Sequence, residues 1–240
     1  MPHAMTPPRE TILVTGFGPF PGAPVNPTEA LMRRLARLPR AALGRTHLAT
    51  HVFPVSYRAV DRDLPALIAR HRPLALVMFG LAARTPWLRL EMRARNAIGR
   101  SLRDADGRCR RAARIAADRG EALVFPNTAR ALLQPLRAAG LPVRLSRNAG
   151  NYLCNYLAWR AIEHSTLRRP DAPAFAIFIH VPLVTNATRP IAARSRHKRQ
   201  SVSHAALDRA MPALLRHAII LARREALHRK TARAGFGHDK

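Results

Sequence analysis

Cys154 is the residue of this chain best placed for covalent chemistry. It lies in the stretch LSRNAGNYLCNYLAW, behind an Asn148-Ala149-Gly150-Asn151 turn and at the front of an apolar, aromatic run. The spacing of Tyr152, Leu153, Tyr156, Leu157 and Trp159 suits a buried helix better than an alternating strand. A cysteine in the first turn of a helix faces unpaired backbone N–H groups and the positive end of the helix dipole, and both favour the nucleophilic thiolate. A free cysteine is also one of the residue types most often buried as a small hydrophobe. Position alone leaves both readings open. A thiol is mostly protonated at neutral pH, so catalysis needs an imidazole to take its proton. His180 ends the apolar run that begins at Ala174, where a side chain is free to leave a sheet and meet loops from neighbouring strands. Eleven histidines make chance placements easy, so this position is a weak signal by itself. Glu91 is the one carboxylate in the arginine-rich segment LAARTPWLRLEMRARNAI. It either pairs with neighbouring guanidinium groups or orients a catalytic base. Together the three make a nucleophile, a base and an orienting acid. Such a set performs acyl transfer, most often amide hydrolysis, with the oxyanion held by N–H groups at the helix start.

Those side chains need strand ends and helix starts to hold them. Residues 11–15 form a short apolar run that ends on Gly16-Phe17-Gly18-Pro19-Phe20, a strand entering the kind of turn that carries ligand loops in α/β folds. Phe17 and Phe20 are expected near the surface at the sheet edge, either plugging the loop into the core or lining a pocket. Asn26-Pro27-Thr28 opens a helix with Asn or Thr as its cap. Residues 47–55 read as a strand and 57–71 as a helix. Residues 73–80 are continuously apolar, as a central strand buried on both faces should be. The polar stretch 99–121 reads as an exposed excursion or flap. Phe125-Pro126-Asn127-Thr128 is expected to cap a helix ending near Gly140, and residues 142–145 a strand leading into the cysteine stretch, whose helix should reach about His164. Residues 188–201 read as a basic loop. Residues 203 to about 229 read as an amphipathic helix, interrupted or restarted near Pro212. Strands alternating with helices predict an α/β sandwich with a largely parallel sheet, arranged as a polar leader (1–10), a single domain (11–229) and a basic tail (230–240).

Composition excludes several classes. At 240 residues and 26.6 kDa the chain can bury one large core. No apolar run approaches the roughly 18 residues that span a bilayer. The two cysteines are not expected to pair, because Cys109 sits among surface arginines and MPHAMTPPRETILV shows no secretory pattern. A reducing cytosol is the expected compartment. P-loop, GxGxxG, CxxC and HExxH patterns are absent. Asp61 and Asp63 read as a solvated helix face. Lys plus Arg total 41 against 14 acidic residues, a formal charge of +27, yet only three of the 41 are lysines and aromatics make up 5%. A nucleic-acid surface clusters its charge and interleaves stacking aromatics. Here arginines are spread over nearly every polar face, which predicts nonspecific adhesion to polyanions rather than a dedicated site.

The chain is similar to the pyroglutamyl peptidase I family of cysteine peptidases over residues 11–220. VTGFGPFPGAPVNPT resembles the family's TGF-x-PF…NPS signature, and GLAARTPWLRLEMRARN the segment carrying its glutamate, with Glu91 and Asn96 at matching positions. SRNAGNYLCNYL resembles the nucleophile segment and FIHVP the histidine segment. The resemblance implies a cytosolic exopeptidase that removes an N-terminal pyroglutamyl residue from peptides. In it Cys154 is the nucleophile, His180 the general base and acid, and Glu91 the orienting acid. It implies that Phe17 and Phe20 sandwich the pyrrolidone ring beside Tyr152, in a three-layer α/β/α sandwich, often a homo-oligomer, with no metal or organic cofactor. Leu81 stands where the family commonly has a glutamine that contacts the ring amide. Ala83-Arg84-Thr85 stands for Gly-Gly-Arg, Met92 for the arginine after the glutamate, and Ser101, between Arg100 and Arg103, for a further arginine. The competing expectation is a catalytically weakened homologue that serves as a basic module for RNA or another polyanion.

Overall fold

The computed structural model describes residues 10–21, 23–167, 169, 171–184 and 202–235. The leader up to residue 9 and the basic loop at 188–201 lie outside them. Its strands are β1 (Thr11–Phe17), β2 (His47–Phe53), β3 (Ala75–Leu81), β4 (Leu88–Glu91), β5 (Arg93–Arg95), β6 (Ala122–Val124), β7 (Val143–Ser146) and β8 (Phe175–Val181). Its helices are α1 (Pro27–Leu35), α2 (Tyr57–His71), α3 (Leu133–Ala138), α4 (Leu153–Thr166) and α5 (His204–Gly235).

Six strands form the main sheet in the order β2-β1-β3-β8-β4-β7. β3 and β8 lie in the middle and are buried on both faces, as continuous apolar runs require. The pairs β1–β2, β1–β3, β3–β8 and β4–β7 are parallel, and β4 runs antiparallel to β8. α1, α3 and α5 pack as one layer, with α1 and α5 against β3. α2 and α4 form the other, with α4 against β3 and β8. The result is a three-layer α/β/α sandwich with a mostly parallel sheet. Truncating a core side chain such as Phe178 to alanine costs about 3–5 kcal/mol in such a setting.

Local chemistry sets the helix starts. The Asn26 side chain accepts from Thr28 N and the Ser56 side chain from Ala59 N, and Pro27 fills the first turn of α1, where its missing N–H costs nothing. α2 spans the residues 57–71 that read as a helix in the sequence. Four expectations are corrected. Phe17 is buried against Phe53 rather than near the surface, because its strand is covered by α1. The segment after Pro126 starts as a 3-10 helix, Asn127–Leu132, with no side-chain cap, and Thr128 Oγ1 instead donates to Glu225. α5 continues through Pro212, because burial of Leu207, Met211, Leu214, Leu215 and Ala218 outweighs one lost backbone hydrogen bond. Asp61 is more than a solvated face. It accepts from Tyr156 Oη at 2.6 Å and pairs with Arg110, joining α2 to α4 and to the 99–121 excursion.

Candidate active site

Cys154 is the second residue of α4, whose N-cap, Tyr152, offers no side-chain hydrogen bond. The first-turn N–H groups of a helix have no partner within it, so they remain available at the thiol. The sulfur rests on the sheet. A Cβ added at Gly80 would lie 2.8 Å from Cys154 Sγ and 2.7 Å from Phe178 Cζ. Residue 80 must therefore be glycine for the thiol to settle against β3.

Register brings His180 to the same place. Gly80 on β3 and Arg89 on β4 are both cross-strand partners of His180 on β8, so the three form one row across the sheet. Glu91, two residues beyond Arg89, points to the same face. His180 Nδ1 lies 2.8 Å from Glu91 Oε1, and both residues are buried. An ionised carboxylate can only accept, so Nδ1 carries the proton and Nε2 keeps its lone pair. Arg89 Nη2 lies 3.1 Å from the same Nδ1, and Arg89 Nε lies 3.2 Å from Glu91 Oε1 and makes no hydrogen bond among the described residues. Glu91 thus lies against both a guanidinium and the imidazole. Its Oε2 is buried without a hydrogen-bond partner among the described residues.

Burial decides the resting charges. It holds His180 below its ordinary value, against Glu91, which favours the imidazolium, and with Arg89, which opposes it. Burial also pushes the Cys154 thiol up to about 12, assisted by Glu91 and opposed by Arg89. Both shifts favour thiol and neutral imidazole as the resting pair.

Phe17, Phe20, Leu81 and Tyr152 all line a cleft of about 430 Å³ that also exposes Cys154, His180 and Arg89. Tyr152 packs edge-on to Tyr57, with ring centroids 6.1 Å apart, and lies 6.4 Å from Phe20. Its hydroxyl donates to Arg103 O at 2.7 Å. One wall belongs to the 99–121 excursion, through Leu102. This excursion has no regular secondary structure but is firmly tied. Buried Asp104 accepts from the backbone N–H groups of Tyr57, Asp106 and Arg108. Asn96, also buried, bonds Ile115 N and Ala116 N through its oxygen and reaches the carbonyls of Ala116, Arg119 and Gly120 through its nitrogen. The Arg110 guanidinium lies over the rings of Tyr57 and Tyr156, 5.3 and 4.8 Å from their centroids.

Sequence reasoning singled out neither Gly80 nor Arg89. The alternation Arg-Leu-Glu in 89–91 was a signal, because residues two apart on a strand share a face. No group of three or more His, Cys, Asp or Glu side chains is placed to hold a metal ion among the described residues. None of their helices is long and apolar enough to cross a membrane.

Comparison with known proteins gives a consistent result. The family model for pyroglutamyl peptidase matches residues 10–222. The chain is 32% identical over 171 residues to a pyrrolidone-carboxylate peptidase of Thermococcus litoralis, covering 71% of this chain and 76% of that protein. It is 32% identical over 173 residues to one of Gloeobacter violaceus, covering 71% and 80%. The solved structure of the Thermococcus litoralis pyrrolidone carboxyl peptidase superposes with a TM-score of 0.76 at 26% identity, over 90% of this chain and 96% of that one.

Proposed function

From its place in the pyroglutamyl peptidase family, to which this chain belongs, we infer that it is a cysteine peptidase hydrolysing the amide bond after an N-terminal pyroglutamyl residue of peptides. The observation that carries the roles is the shared cleft of Cys154 and His180, with Nδ1 of the histidine 2.8 Å from buried Glu91.

In this reading the pyrrolidone ring enters among Phe17, Phe20 and Tyr152. A flat neutral lactam suits aromatic faces, and its blocked amine leaves no charge to desolvate. The Cys154 sulfur attacks the carbonyl carbon as its proton passes to His180 Nε2. The tetrahedral oxyanion faces the free N–H groups at the start of α4. Glu91 steadies the imidazolium, which returns the proton to the departing amine and leaves a thioester. His180 then takes a proton from water, hydroxide attacks the thioester, and pyroglutamate leaves with the thiol restored. Leu81 offers the ring no hydrogen bond, a loss of about 0.5–1.5 kcal/mol of binding relative to a glutamine. We place residues 11–229 in one catalytic domain that works in the cytosol without metal or organic cofactor, as a homo-oligomer.

The basic-module reading has less support. Guanidinium groups of Arg93, Arg103, Arg114, Arg216 and Arg229 bond backbone carbonyls, so part of the positive charge serves as internal fastening. Hydrolysis of a pyroglutamyl-linked fluorogenic amide, with a prolyl amide as control, tests the assignment. Release from the first substrate alone, lost in Cys154→Ala, is expected. Normal turnover by Cys154→Ala would overturn it.

A further inference from the structure

We propose that Arg89 is a positioning residue of the reaction: its guanidinium, wedged beside Glu91 Oε1 and His180 Nδ1 on the cleft wall, offsets the buried carboxylate and supplies the positive charge that steadies the Cys154 thiolate. The proposal rests on the cysteine-peptidase reading of this site.

Arg89 and His180 are direct cross-strand partners on β4 and β8, and Glu91 follows Arg89 on the same face. His180 and Arg89 converge on one carboxylate oxygen of Glu91, with Nδ1 at 2.8 Å and Arg89 Nε at 3.2 Å, while Oε2 has no hydrogen-bond partner among the described residues. An Nδ1–H aimed at Oε1 has no lone pair left for Arg89, so Nη2 at 3.1 Å faces an N–H rather than an acceptor. Guanidinium and imidazole therefore compete for the same charge. Arg89 is about a quarter exposed and lines the cleft, whereas Glu91 is fully buried.

The charge count explains what this arrangement does. The titratable and charged groups facing His180 are Arg89 and Glu91 from β4 and Cys154 from α4, whereas β3 contributes only Gly80. With Glu91 alone, a resting site would carry one uncompensated buried negative charge, which opposes a thiolate beside it. With Arg89 present the site is neutral as thiol and imidazole, and again neutral as thiolate and imidazolium. Proton transfer from sulfur to nitrogen then moves charge within a balanced cluster. Arg89 acts on both partners in one direction, favouring the thiolate and disfavouring the imidazolium.

That shared direction gives a test that packing alone does not mimic. Removing a cation near two groups raises both of their pKa values. In Arg89→Met, which keeps length without charge, both limbs of the kcat/KM–pH profile should move up by about one pH unit. In Arg89→Lys, which keeps the charge, they should stay in place. The rate of Cys154 alkylation by iodoacetamide, measured against pH in a Cys109→Ser background, should shift up by the same amount in Arg89→Met. This readout needs no substrate. A wild-type protein that fails to cleave pyroglutamyl amides would sink the proposed function while leaving the alkylation profile to judge Arg89. Limbs and alkylation profile that stay put in Arg89→Met, or that move equally in Met and Lys variants, would overturn the proposal.

Discussion

Gly80 and Cys154 form a pair in which the missing side chain of one makes the seat of the other. The sulfur lies 2.8 Å from where a Cβ on residue 80 would be, too close for any side chain to be added without movement. Gly80→Ala should displace the thiol and press on Phe178, lowering kcat by about 100-fold and stability by about 1–3 kcal/mol. Steady-state kinetics and urea unfolding measure the two effects. Unchanged kcat would mean that the thiol does not work from this seat.

Glu91→Gln keeps the shape of the carboxylate and removes its charge. The amide oxygen can still accept from Nδ1–H, but His180 would lose the negative charge that favours its imidazolium, and Arg89 would be left without its counter-charge. We expect kcat/KM to fall by about 100- to 10,000-fold with the fold retained. Circular dichroism and kinetics on one preparation decide the matter. A loss below about tenfold would remove Glu91 from the proposed catalytic set.

Asp104 is the internal tie of the excursion that walls the cleft. Asp104→Ala would leave three backbone donors without their acceptor, at a cost of about 2–4 kcal/mol. Because Leu102 and the carbonyl that holds Tyr152 belong to this excursion, KM should rise more than kcat falls. Hydrogen exchange should rise across 99–121. Equal protection in wild type and variant would show that other contacts hold the wall.

Stability should form a plateau bounded by histidines on the acid side and by the thiol on the alkaline side. Burial lowers the pKa of His51, His71, His164, His180 and His204 from 6.5. Below 6.5 the unfolded chain binds more protons than the folded one, so stability is fully present above that value and falls as pH drops through the folded values. Cys154 has the opposite sign. Its pKa rises from 9.0 to about 12, so its contribution is complete below 9.0 and is lost as pH climbs through that interval. Urea midpoints across the range test both edges. A midpoint that stays flat from about pH 7 to about pH 5 would contradict the acid edge.

The residues at the ends of regular runs were legible before any coordinates. Cys154 follows a turn and opens a helix, His180 stands near the end of an apolar strand, and α2 covers the residues 57–71 that read as a helix. β4 was not legible. LRLE has only two apolar positions, inside an arginine-rich segment, and its pairing comes from β7 and β8, more than 50 residues away. The same distance hid Arg89, whose approach to His180 depends on β4 running against β8. Phe17 and Pro212 misled for a related reason. Each obeys the packing of a neighbouring layer in preference to its local signal.

Asn96 has a consequence for the order in which the molecule assembles. One amide side chain gathers backbone groups from 115 to 120, while Asp104 must find the start of α2, 47 residues earlier in the chain. The bond from Tyr57 N to Asp104 forms only once α2 is in place, so closure of this loop is expected to follow formation of the sheet. During refolding, helical signal should therefore return ahead of substrate affinity. The cleft wall should be the last part of the molecule to assemble.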